Sequence, residues 1–137
     1  MRVIADTNVV VSAAFWTGAP FRLIEAAKSG HIALYTSPAL LDELGDVLKR
    51  PRFAPLLQEL RLTPDKLIDA YSKLAHRIAP VPIPPIVKDD PDDDAVLACA
   101  LAAHAHYIVT NDRHLLNLRS YRATQIVLSR DLLAVLH

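Results

Sequence analysis

Two short β-prone runs, Val3-Ile4-Ala5 and Ile108-Val109-Thr110, show no alternation of polar and apolar residues. Each leads to an acid within two residues, Asp6 and Asp112. A strand with one wet face alternates. A run without alternation suits a strand covered on both faces, as in a parallel sheet with helices on either side. Ile32-Ala33-Leu34-Tyr35 and Gln125 to Leu128 read as two more strands. Helical patterns lie between them. Pro20 opens one that runs to about Ser29, with Gly30 as its stop. Ser37 and Pro38 supply an N-cap and a first-turn proline for another, which ends near Arg50 before Pro51. Residues 52–78 carry two helical stripes, Phe53-Leu56-Leu57-Leu60 and Leu67-Ile68-Tyr71-Leu74, divided at Thr63-Pro64. This predicts a helical hairpin. Prolines 80, 82, 84 and 85 make the next stretch an extended connector with one edge strand at most. A helix capped by Asp92 or Asp93 is expected over 93–105, a short one over 114–118, and a last one capped by Ser129. Alternation of strand and helix predicts an α/β sandwich with helices on both faces of a mainly parallel sheet, the hairpin inserted, all in one domain over residues 1–137.

The 137 residues include 15 Lys plus Arg and 15 Asp plus Glu. This neutral balance gives no general attraction to nucleic acid, so any phosphate binding has to be local or metal-borne. The single cysteine, Cys99, cannot form an intrachain disulfide, which is the usage expected of a reducing, cytoplasmic compartment. The start, with Arg2 soon followed by Asp6, makes a poor leader, and no apolar run approaches the ~18 residues of a membrane span.

Five of the 15 acids are crowded into Asp89-Asp90-Pro91-Asp92-Asp93-Asp94, directly before the uncharged stretch Ala95 to Ala103. Carboxylates against a buried segment are costly without a counter-charge. In an open parallel sheet the residues after the strands share one edge, where ligands bind. Asp6 and Asp112 follow strands. Asp94 opens the helix before the second of them. Glu43 lies on the border of the Leu40-Leu41-Leu44-Val47-Leu48 stripe, whereas Asp42 and Asp46 fall opposite it. If the strand order allows, four carboxylates converge, and hard oxygen donors in that number suit Mg²⁺ or Mn²⁺. Each acid alone is explained by a turn or a cap; the ordered set is not. His104-Ala105-His106 sits where histidines favour a helix C-terminus. No glycine-rich phosphate loop or nucleophile elbow is present. A phosphotransfer receiver also gathers Asp at strand ends, but it needs a late Lys, and none follows Lys88.

In order along the chain, Ile4-Ala5-Asp6-Thr7-Asn8-Val9, Ser37-Pro38 through Glu43-Leu44, Asp90-Pro91-Asp92-Asp93-Asp94 with its Ala-rich helix, and Tyr107 through Arg113 resemble the PIN-domain ribonucleases, specifically the VapC-like toxin group. The resemblance implies a PIN-like three-layer α/β/α sandwich. It places the family's catalytic and metal-binding acids on Asp6, Glu43, Asp94 and Asp112, with Asp93 second to Asp94, and its polar helpers on Asn8 and Thr110. It implies Mg²⁺- or Mn²⁺-dependent cleavage of single-stranded RNA, a homodimer, and a small antitoxin partner. Arg50, Arg52 and Arg113 are candidates for RNA contact, with Lys49, Arg119 and Arg122 behind them. Two alternatives differ in role: a catalytically inactive PIN-fold binding module, and a housekeeping RNA-processing nuclease.

Overall fold

Val3, Ile4 and Ala5 are buried in β1 (Arg2–Ala5), the strand at the centre of the sheet. In the computed structural model, which describes residues 1–87 and 90–136, β1 pairs in parallel with β2 (Ala33–Thr36) on one side and β4 (Tyr107–Val109) on the other. β3 (His76–Arg77) continues in parallel beyond β2, and β6 (Thr124–Val127) beyond β4; β5 (Ser120–Tyr121) lies antiparallel to β6. The order β3-β2-β1-β4-β6-β5 means that the chain builds outwards from β1 in one direction, then returns to build in the other. The switch falls between β1 and β4, where side chains at the carboxyl ends of two neighbouring strands border a crevice.

The period-2 geometry of a strand divides the core in two. Val3, Ala5, Leu34 and Val109 pack with apolar residues of α1 (Thr7–Phe15), α2 (Ala19–Lys28), α3 (Pro38–Leu48), α5 (Pro64–Leu74) and α8 (Ser129–Val135). Ile4, Ile108 and Ile126 face the other way, onto Val96, Leu97 and Ala100 of α6 (Pro91–Ala103) and Leu115 of α7 (Arg113–Leu116). The expected α/β architecture with a mostly parallel sheet flanked by helices is the one found. The expected hairpin is α4 (Ala54–Leu60) and α5, entered through a 3-10 turn at Pro51–Phe53 and divided by the Thr63 cap. Among the described residues, no helix is long and apolar enough to cross a membrane.

Local departures have identifiable causes. The sequence reading places no helix over 7–15. Val9, Val10 and Val11 bury themselves in α1, where tertiary packing outweighs their weak helix propensity. The proline-rich connector at 80–85 forms no strand; the edge strand β3 comes just before it, where the reading extends a helix. α6 is capped by Asp90 rather than by Asp92 or Asp93, since Pro91 is favoured in the first turn. Ser129 does not cap α8. Leu128 holds that position, and the Ser129 hydroxyl is buried without a hydrogen-bond partner. β5 is too short for its pattern to register in the sequence.

Candidate metal centre

Asp6 follows β1 directly and caps α1. Its Oδ1 accepts the Thr7 N–H at 2.8 Å. Its Oδ2 accepts the Thr110 hydroxyl at 2.7 Å, across the β1–β4 switch. Thr110, fully buried, also accepts the Asp112 N–H at 2.9 Å, so one hydroxyl fixes both strand-end acids. Asp112 in turn caps α7 by accepting the His114 N–H at 2.7 Å. On the other flank, the Thr7 hydroxyl donates to Glu43 Oε2 at 2.8 Å, tying α3 to the start of α1. The border position of Glu43 on the α3 stripe therefore leaves its carboxylate half-buried and turned towards Asp6.

The acidic run contributes differently from expectation. The sequence reading puts Asp94 among these acids, with Asp93 second. Because Asp90 is the cap, Pro91, Asp92, Asp93 and Asp94 occupy the first four helical positions, each turned about 100° from the last. Asp93 faces inward and is 4 % exposed. Asp94 faces the connector, where its Oδ1 accepts the N–H groups of Ile86 at 3.1 Å and Val87 at 2.9 Å. Asp94 thus ties the connector to α6, and Asp93 takes the inward place. Lys88 and Asp89 lie outside the described residues. Donor atoms of Asp90, Asp93, Asp112 and His114 all lie within 4.8 Å of one another.

This arrangement is electrostatically costly without a cation. Burial, then the Asp112 and Asp90 carboxylates beside it, push Asp93 up to about 8. Its Oδ2 is buried with no hydrogen-bond donor, since the groups around it are themselves acceptors. Burial also raises Asp6, against the lowering effect of the Thr110 and Thr7 donors, with Asp112 and Asp90 adding to the rise. Burial raises Glu43, which the Thr7 hydroxyl partly offsets and Asp6 reinforces. Like charges that face one another, with one buried oxygen lacking any donor, are the environment a divalent cation satisfies, and carboxylate oxygens are its preferred donors. The donor set therefore fits such an ion. No sulfur chemistry competes: burial pushes the Cys99 thiol up to about 11, so it offers no thiolate.

The remaining expected site residues are placed less closely. Asn8 is exposed on the first turn of α1 and makes no side-chain hydrogen bond among the described residues. Arg113 is exposed next to Asp112. Arg50 and Arg52 follow the C-terminus of α3, which lies about 7.5 Å along its axis beyond Glu43 at 1.5 Å per residue. Arg52 stacks over the Phe53 ring at 4.7 Å instead. Sequence reasoning missed Thr7, Asp90 and His114. The Asp-Pro step at 90–91 was a usable signal, because it repeats the cap-then-proline pattern of Ser37-Pro38 and Thr63-Pro64. Thr7 and His114 gave none, because their roles exist only once α1 and α7 have formed. A separate apolar cavity of about 290 Å³ between α1, α2, α3 and α5, lined by Val10, Leu44, Leu48, Leu67 and Tyr71 among others, contains none of these acids.

Comparison with known proteins agrees with this geometry. A family model described as PIN domain matches residues 2–114, which takes in every acid named above. An uncharacterized protein of Methanocaldococcus jannaschii is 31 % identical over 121 residues, covering 87 % of this chain and 76 % of its own. No solved structure matches the chain at a significant level.

Proposed function

Because the chain belongs to the PIN-domain family, we propose that it is an endoribonuclease that uses Mg²⁺ or Mn²⁺ to cleave single-stranded RNA, acting as the toxin of a toxin–antitoxin pair. The observation that carries the metal-dependent part is Asp93, buried, without a donor, and flanked by Asp90 and Asp112 at the sheet's switch point. Asp90, Asp93 and Asp112 would hold the ion, with Asp6, tied to Asp112 through Thr110, at its edge. When bound, the cation supplies a counter-charge, Lewis acidity towards a phosphodiester, and activation of a water for in-line attack. The chain's own residues do the positioning. Thr110 fixes Asp6 and Asp112 relative to each other. Thr7 holds Glu43 at the border of the site, where its raised affinity for a proton suits it to accept one from water. Arg113, exposed beside Asp112, would meet the phosphate backbone. A second copy of the chain and a small antitoxin are the partners this reading implies.

The test is cleavage of a single-stranded RNA by the purified chain with Mg²⁺ or Mn²⁺, alongside Asp6→Asn and Asp93→Asn. Wild type is expected to cut and both variants to lose at least about 100-fold, the scale of removing a preorganised electrostatic group. Equal activity in all three, or none in wild type, refutes the proposal.

A further inference from the structure

His114 belongs to the acidic cluster, yet the hydrolytic reading gives it no task. Its backbone is fixed, because its N–H is the group that Asp112 caps at 2.7 Å. Its Nδ1 stands 3.8 Å from Asp90 Oδ2 and 3.9 Å from Asp112 Oδ1. These separations are too long for an N–H···O hydrogen bond, which spans roughly 2.7–3.2 Å. They fall below the roughly 4.2 Å that two donors on one ion, each about 2.1 Å from it, can span. The fully buried and unsatisfied Asp93 Oδ2 belongs to the same group of residues, and it independently calls for a positive ligand there. His114 is largely exposed, so it stands at the mouth of the cluster and leaves the solvent side open for water or a phosphate oxygen.

Resting on the metal-dependent reading above, we propose that His114 completes a mixed nitrogen–oxygen site with Asp90, Asp93 and Asp112, and that this site takes a first-row transition ion such as Mn²⁺ in preference to Mg²⁺. Imidazole is a softer donor than carboxylate. Mg²⁺ gains little from it, whereas first-row ions gain increasingly along their affinity series. The ring stands at the carboxyl edge because Asp112 starts α7 there, which places the third residue of Asp112-Arg113-His114 back over the cap.

Pulsed EPR of the full chain loaded with Mn²⁺ alone tests this without reference to activity. Wild type is expected to show coupling of the ion to one ring nitrogen, and His114→Gln to lose it. Calorimetric titration should then show Mn²⁺ binding weakened about tenfold or more in His114→Gln, with Mg²⁺ binding changed less than about threefold. The exposed position of the side chain leaves folding out of the comparison. Mn²⁺ bound without nitrogen coupling, or Mn²⁺ and Mg²⁺ weakened alike, overturns the role of His114 while leaving the nuclease reading intact. Absence of Mn²⁺ binding in wild type overturns both.

Discussion

Adjacent aspartates on one helical turn have opposite tasks here, and the difference is measurable. Asp94 accepts two backbone N–H groups of the connector, whereas Asp93 has a buried oxygen with no donor. Replacing Asp94 by Ala leaves two amides without that acceptor and is expected to cost about 1–2 kcal/mol, while the thermal shift produced by Mn²⁺ stays. Replacing Asp93 by Ala should leave the metal-free chain no less stable and abolish the Mn²⁺ shift. Thermal unfolding of both variants with and without Mn²⁺ checks this; a Mn²⁺ shift lost in Asp94→Ala and kept in Asp93→Ala would restore the reading from sequence. That reading chose Asp94 from the residues following it. The distinction depends on helical phase, and a one-position uncertainty in the start of a helix turns every side chain by about 100°. The positions of Asp6 and Glu43 were legible because a strand end and the edge of an apolar stripe are coarser features, insensitive to a shift of that size.

At the level of elements, strands and long helices were legible wherever burial left a pattern. Ser37-Pro38 and Thr63-Pro64 marked the starts of α3 and α5 correctly, since cap and first-turn proline act through the local backbone alone. α1 was illegible because its β-branched residues are helical only through what they pack against. α8 was found with its cap misplaced by one residue, and a cost remains there. The Ser129 hydroxyl is buried and unpaired. Ser129→Ala should therefore stabilise the chain by about 1 kcal/mol, the desolvation cost of an unsatisfied hydroxyl less the little it gains natively. For a chain of this size that raises Tm by about 3–5 °C. A melting curve decides it; an unchanged or lower Tm would mean that the hydroxyl is satisfied in solution.

Across the whole molecule the clustered acids set the pH dependence of stability. Asp6, Glu43 and Asp93 all hold their protons more tightly when folded than carboxyls ordinarily do, Asp93 up to about 8. Between about 4, the range of unfolded carboxyls, and about 8 the folded chain binds more protons, so its stability without metal falls as pH rises. A divalent ion binds the deprotonated carboxylates, so its stabilising effect grows over the same range. Melting temperatures from pH 5 to 8 should decline without Mn²⁺, decline less or not at all with it, and decline less in Asp93→Asn; a flat profile for metal-free wild type would refute the coupling. The sequence offered the acids but not the strand order, on which their meeting depends. That order has a temporal side. Thr110 reaches back 104 positions to Asp6, and its own N–H is held by Val127 of β6. A chain emerging from the ribosome carries Asp6 and Glu43 into solution before Asp112 exists to join them. The centre therefore cannot assemble before β6 is in place beside β4.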